Sequence, residues 1–142
     1  MRKVRDIMSA APVCMAPGES VSAAARAMKR HGIGTVLVLT DGRLSGLVTD
    51  RDITVRVLAE GRDPRTTRIG DISDGELVVL DPDDTLAQAA RLVRDHAARR
   101  IPVLRNGTPV GVLSIGDLAL ERSDHGTAQQ RYEEARQLYQ QV

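Results

Sequence analysis

The chain has 142 residues, 42% of them hydrophobic and 27% charged, and its 20 Lys and Arg against 19 Asp and Glu leave a formal charge of +1. That length supplies the core of one ordinary domain and excludes two large ones, and the near-neutral balance excludes a field strong enough for sequence-independent binding of nucleic acid, which is not expected as a partner. Phe and Trp are absent and the single Cys14 excludes both an intrachain disulfide and a cysteine-built zinc site, so the core must be aliphatic and a reducing compartment fits best.

Met1–Met8 carries basic residues with no apolar run behind them, and nowhere do about 18 uncharged apolar residues follow one another. A cytoplasmic, soluble protein with no membrane partner is expected. A short strand is expected around Val13–Met15. Ser20 then precedes Val21, Ala24, Ala25 and Met28 on one helical face, and Gly32 follows His31, which predicts a helix over 20–31. Thr35–Thr40 and Arg43–Val48 read as strands around Asp41-Gly42, a pair that tolerates the positive φ of a type I′ hairpin. A second helix should open at Thr49-Asp50 and run to about Glu60.

Residues 61–68 are polar, contain Gly and Pro, and read as a linker. Beyond it, Thr85 starts a helix with Leu86, Ala89, Ala90 and Val93 on one face. Arg100–Arg105 and Pro109–Leu113 are strands around Asn106-Gly107, again a hairpin turn. After Ser123-Asp124-His125-Gly126, residues 127–142 read as a further helix with Tyr132, Ala135, Leu138, Tyr139 and Val142 roughly along one face. That helix either lies over the body of its own chain or meets a second subunit.

The order of elements repeats because the sequence repeats. Gly46-Leu47-Val48-Thr49-Asp50-Arg51-Asp52-Ile53 returns 65 residues later as Gly111-Val112-Leu113-Ser114-Ile115-Gly116-Asp117-Leu118, with no insertion. Asp6-Ile7 maps to Asp71-Ile72, Pro17 to Pro82, His31 to His96, and Gly42 to Gly107. A fixed internal period outranks local signals when a fold is read. The expected fold is α/β, two tandem β-α-β-β-α repeats plus a C-terminal helix: repeat 1 over 1–60, linker 61–68, repeat 2 over 69–122, and an extension over 123–142.

The repeated fragment sits where a strand gives way to a helix, with Thr49 near the N-cap and Asp52 near the third helical residue. Unpaired N–H groups and the positive end of the helix dipole favour a phosphate there. The Thr49 hydroxyl can donate, the Arg51 guanidinium can pair with phosphate oxygens, and the acceptor-only carboxylate of Asp52 suits a ribose cis-diol. The second copy keeps Ser114 and Asp117 but has Gly116 in place of Arg51. Spacing alone leaves a second reading open, because Thr-x-x-Asp is also a capping box that needs no ligand. Thr85-Leu86-Ala87-Gln88 has that spacing and no assigned ligand. Asp at both copies, in place of the usual Glu or Gln, favours a ligand.

With Val48–Ile53 in one copy, Leu113–Leu118 in the other, Ile101-Pro102-Val103 after Arg99-Arg100, and the opening Val4-Arg5-Asp6-Ile7-Met8, the chain resembles the cystathionine-β-synthase (CBS) domain pair, or Bateman module, over residues 4–122. It is most similar to stand-alone bacterial proteins made of one such pair. The resemblance implies a pseudo-twofold body with two clefts between the repeats, and a homodimer. It also implies adenosine-containing ligands such as AMP, ADP, ATP or S-adenosylmethionine, with no required cofactor. By the match, Thr49 and Asp52 would hold phosphate and ribose in one cleft, and Ser114 and Asp117 in the other. Arg99 and Arg100 would be phosphate partners; their counterparts Gly34 and Thr35 bring no charge, which leaves Arg51 to supply it. The expected function is a non-enzymatic ligand sensor that signals by a conformational or dimer change. The competing class is a ligand-free scaffold that dimerises or docks an unidentified protein.

Other reactive side chains read as structural. His31 and His96 end equivalent helices, where a cationic ring suits the negative terminus. His125 has no partner at metal spacing, and Cys14 between Val13 and Met15 reads as a small buried thiol. Arg62, Arg65 and Arg68 read as a solvated linker. No Ser-His-acid set, Walker loop or dinucleotide glycine motif is present, so no enzyme is expected and no catalytic or metal residue is assigned.

Overall fold

A computed structural model of the protein describes residues 1–123, 133 and 136–140. The first repeat forms strand β2 (Cys14–Met15), helix α2 (Val21–His31), strands β3 (Thr35–Thr40) and β4 (Arg43–Thr49), and helix α3 (Asp50–Ile53). The second forms α4 (Leu86–His96), β5 (Arg100–Arg105), β6 (Thr108–Ser114) and α5 (Ile115–Ser123). Ahead of both lie α1 (Val4–Ile7) and the two-residue strand β1 (Ser9–Ala10). The expected elements are present, the opening strand of the second repeat being reduced to a single bridge at Leu80, and both hairpins turn as their dipeptides demand: φ is +52° and +79° at Asp41-Gly42, and +52° and +80° at Asn106-Gly107.

Each α2 and α4 boundary has a local cause. Ser20 Oγ accepts from Ala23 N at 3.1 Å and Thr85 Oγ1 accepts from Gln88 N at 3.1 Å, capping the two N-termini. Gly32 ends α2 in the left-handed region, φ +63°, and Ala97 ends α4 there too, φ +50°, although it carries a Cβ. The expected second helix of repeat 1 changes character partway. α3 continues from Thr54 to Leu58 as a π-helix, with Ala59 N–H donating to Thr54 O at 2.9 Å. Thr54 Oγ1 also donates to Asp50 O, and Val55 and Val57 are β-branched, so side-chain competition and crowding loosen the α ladder. The equivalent stretch of α5, Ala119-Leu120-Glu121, consists of good helix formers and stays α-helical.

The chain divides into two compact units, Pro12–Leu77 and Met1–Ala11 together with Val78–Val142. The division differs from one at 61–68: the residues ahead of each repeat are held by the unit of the other. In the Pro12–Leu77 unit, β2 pairs parallel with β3, β3 pairs antiparallel with β4, and Leu47 on the outer edge of β4 bridges Asp74. In the other unit, Leu80 bridges Val103 of β5 in parallel, β5 pairs with β6, and β1 pairs antiparallel with β6 through Ser9↔Val112. The bridges Ser20↔Arg68 and Lys3↔Thr85 are likewise equivalent, as are Gly70 N–H to Pro17 O and Arg5 N–H to Pro82 O. Two arms, 1–11 and 66–76, therefore dock in the same way.

The arms explain two glycines. A Cβ on Gly111 would stand 2.5 Å from Met8 Sδ and 2.8 Å from Ser9 O; one on Gly46 would stand 2.7 Å from Ser73 Oγ and 2.9 Å from Ser73 Cβ. Only glycine lets the arm backbone approach that edge strand. Each unit has its own aliphatic core. Val21, Ala24, Val36, Val38, Val48, Val57, Ile69 and Ile72 form one, and Val4, Ala89, Val93, Ile101, Val103, Leu113, Leu118 and Leu138 are in the other. Ile69, Ile72 and Val4 belong to the arms. Segment 61–68 is not wholly solvated: Thr67 is buried, donates through Oγ1 to Asp63 O at 2.8 Å, and offers its carbonyl to Val21 N–H.

At the C-terminus, Glu133 and residues 136–140 are helical. Leu138 is buried in the core of its own unit, so this helix packs against its own chain there. Tyr139 is half exposed, and Tyr132, Ala135 and Val142 lie outside the described residues, as does His125. Among the described residues, no helix is long and apolar enough to cross a membrane.

Candidate functional site

Strand β4 ends at Thr49 and helix α3 begins at Asp50, so the chain turns where the sequence motif lies. Asp52 N–H donates to Thr49 Oγ1 at 3.1 Å, and Thr49 N–H donates to Asp52 Oδ2 at 2.8 Å. The second copy is nearly superposable in its bonding: Asp117 N–H to Ser114 Oγ at 3.0 Å, Ser114 N–H to Asp117 Oδ2 at 2.9 Å. Both are capping boxes, as at Thr85 and Gln88. The structural reading of the motif is thus correct for one carboxylate oxygen in each copy.

Gln88 and the aspartates differ in what is left. An amide offers its remaining edge as a donor, whereas a carboxylate keeps a second acceptor oxygen. Asp52 and Asp117 are half-buried, and the cap bond fixes how each carboxylate is turned. Across the sheet, Thr35 is the register partner of Thr49, and Arg100 is the register partner of Ser114. Directly opposed residues of an antiparallel pair project from the same face about 5 Å apart. The fold thus groups Thr35, Thr49 and Asp52 in one unit, and Arg100, Ser114 and Asp117 in the other.

The remaining sequence candidates neighbour these triads in the chain and are exposed. Arg51 is exposed one residue into α3. Arg99 is exposed, and its carbonyl accepts from Ile115 N–H at 3.0 Å, just as Gly34 O accepts from Asp50 N–H. Arg65 of the linker turns to Asp63, whose carboxyl is held below the usual range first by the Arg65 backbone N–H and then by the guanidinium. Cys14 is a correction: it is exposed at the edge of its sheet, not buried, although partial desolvation still raises its thiol pKa. His31 and His96 are exposed at the last residues of α2 and α4. No group of three His, Cys, Asp or Glu placed to hold a metal occurs among the described residues.

Residues that sequence reasoning passed over surround the first triad. Arg56 Nε lies 3.7 Å from Asp52 Oδ1, its Nη1 donates to Ile72 O at 2.9 Å, and its Nη2 donates to Asp74 Oδ1 at 3.1 Å. The i,i+4 spacing from Asp52 was a usable signal. The arm partners Ile72 and Asp74 had none, being distant in sequence from Arg56. In the second unit, Glu121 is equivalent to Arg56 and is nearly buried, paired with Arg2 of the arm.

The geometry has known relatives. The CBS domain family matches residues 4–59 and 69–124. The CBS domain-containing protein YhcV of Bacillus subtilis is 34% identical over 128 residues, covering 90% of this chain and 91% of that one. Hypoxic response protein 1 of Mycobacterium tuberculosis is 33% identical over 130 residues, 91% of each. Among solved structures, Hypoxic Response Protein I with two coordinated zinc ions aligns with a TM-score of 0.69 at 34% identity, over 85% of this chain and 99% of that one. A hexameric CBS-CP12 protein from bloom-forming cyanobacteria aligns with a TM-score of 0.80 at 27% identity, over 95% and 83%. With both repeats matched in register, the chain belongs to the CBS domain family, as a tandem CBS pair.

Proposed function

We propose that the protein is a non-enzymatic regulatory module that binds an adenosine-containing ligand, AMP, ADP, ATP or S-adenosylmethionine, at one or both of the triads and signals through a change of conformation or assembly. The observation that carries this reading is the pair of matched capping boxes closed by aspartate. In each, a main-chain N–H holds one carboxylate oxygen, and the second is an acceptor for which a capping box has no use. Two neighbouring ribose hydroxyls supply the donors. Arg100 beside Ser114 adds a cation for phosphate at the second repeat, while Thr35 beside Thr49 leaves the first repeat dependent on Arg51. Ligand shifts the protein only to the extent that it binds one arrangement more tightly than another.

Calorimetric titration with AMP, ATP and S-adenosylmethionine tests the proposal. Asp52→Asn and Asp117→Asn each keep a cap acceptor while placing a donor where the diol must bind, so each should remove one binding event without unfolding the chain. No heat and no thermal shift with any of the three would defeat the sensor. The scaffold reading has its own observation: Val55 of the first repeat and Leu120 of the second hold equivalent positions, and both are exposed. Self-association through these helices, tested by sedimentation of Val55→Glu and Leu120→Glu, gives a dimer with or without ligand.

A further inference from the structure

Asp52 and Asp117 hold equivalent places, but the residue one helical turn beyond them changes sign. In the second repeat it is Glu121, which turns to Arg2. In the first it is Arg56, whose guanidinium is fixed at two corners by Ile72 O and Asp74 Oδ1. Its Nε edge then lies 3.7 Å from Asp52 Oδ1, the oxygen that Thr49 N–H does not use. That separation is an ion-pair distance and too long for a hydrogen bond. The cation therefore compensates the charge and leaves the lone pairs of Oδ1 to another donor. A guanidinium is a rigid fork, so once two corners are held the third edge has one place to be.

We infer that Arg56 is the positioning residue of the first repeat's site: it braces the Asp52 carboxylate for two vicinal ribose hydroxyls and ties it to the 72–74 segment of the docked arm. The inference rests on the ribose-binding reading above. Arg56 does not touch the sugar; it acts through Asp52. Glu121 gives Asp117 no such brace, so the two sites differ in how strictly they select a ribose.

The test is calorimetric titration of the full chain with AMP and 2′-deoxy-AMP. It is done in an Asp117→Asn background, so that the heat reports the first repeat. The background protein should prefer AMP by about tenfold, the value of one hydrogen bond to a charged acceptor. Arg56→Met should weaken AMP about tenfold and 2′-deoxy-AMP hardly at all, erasing the preference. Arg56→Gln, which keeps a donor for Ile72 O, serves if Arg56→Met does not fold, and should also erase it. Equal weakening of both nucleotides, or an unchanged preference, would make Arg56 merely structural and overturn the inference while leaving the ribose reading standing. No binding of either nucleotide by the background protein would overturn the ribose reading, and this inference with it.

Discussion

Ala97 shows how one residue can carry a cost that its repeat partner avoids. Both stand at the end of a helix in the left-handed region, but Gly32 is free of the Cβ that Ala97 must accommodate at φ +50°. Ala97→Gly should therefore stabilise the protein by about 1 kcal/mol, and Gly32→Ala should destabilise it by a similar amount, each measured by urea denaturation. Gly111 is constrained for a different reason, the close approach of the arm. Met8 could swing aside from a new methyl group, but the Ser9 carbonyl is backbone and belongs to the β1–β6 ladder. Gly111→Ala should cost about 1–3 kcal/mol and speed amide exchange at β1 and β6. Gly111 and its counterpart Gly46 were visible in the repeat; the arm residues that demand them were not, because for Gly111 they lie about a hundred residues away.

The two arms are pinned to equivalent helices by ion pairs of opposite polarity. Arg2 on one arm meets Glu121 of α5, and Asp74 on the other meets Arg56 in the π-helical turn that continues α3. The two charges come from different places on the arms, since Arg2 corresponds to Thr67 and Asp74 to Ser9, so neither arm carries the partner that the other arm's helix uses. Glu121 is one-tenth exposed at its side chain and Arg2 about half, so removing Arg2 strands a nearly buried carboxylate whose partner was already screened by water. Arg2→Ala should cost about 1–2 kcal/mol, and adding Glu121→Gln should recover most of it, as read from a double-mutant cycle. The helices themselves were legible from Ser20, Thr85 and the spacing of Val21, Ala24 and Met28. The π-helical turn at 54–58 was not, since both forms expose the same pattern over so few residues. The aspartates were legible as a pair with two meanings, cap and ligand; the geometry confirms the first and leaves one oxygen for the second.

For the protein as a whole, the consequence is that chain order and compact unit are different divisions. A fragment of residues 1–60 carries Val4 away from its core and lacks Ile69 and Ile72, which close the core of the first repeat. A fragment of residues 12–77 keeps that core and its arm together. Circular dichroism with thermal melting should show a cooperative transition for 12–77 and none for 1–60, although a unit of this size is only marginally stable.

Duplication, element order, hairpin turns and the twin aspartates could all be read from residue order, because each depends on signals within a few positions: side-chain period, a cap, a positive φ. Which arm closes which sheet, and that Arg56 stands behind Asp52 while Arg100 stands beside Ser114, depended on the folded chain. The arm contacts join residues far apart in sequence, and the direction of the Arg56 guanidinium is set by Ile72 and Asp74 of the arm, so only strand pairing and packing within each core decide them.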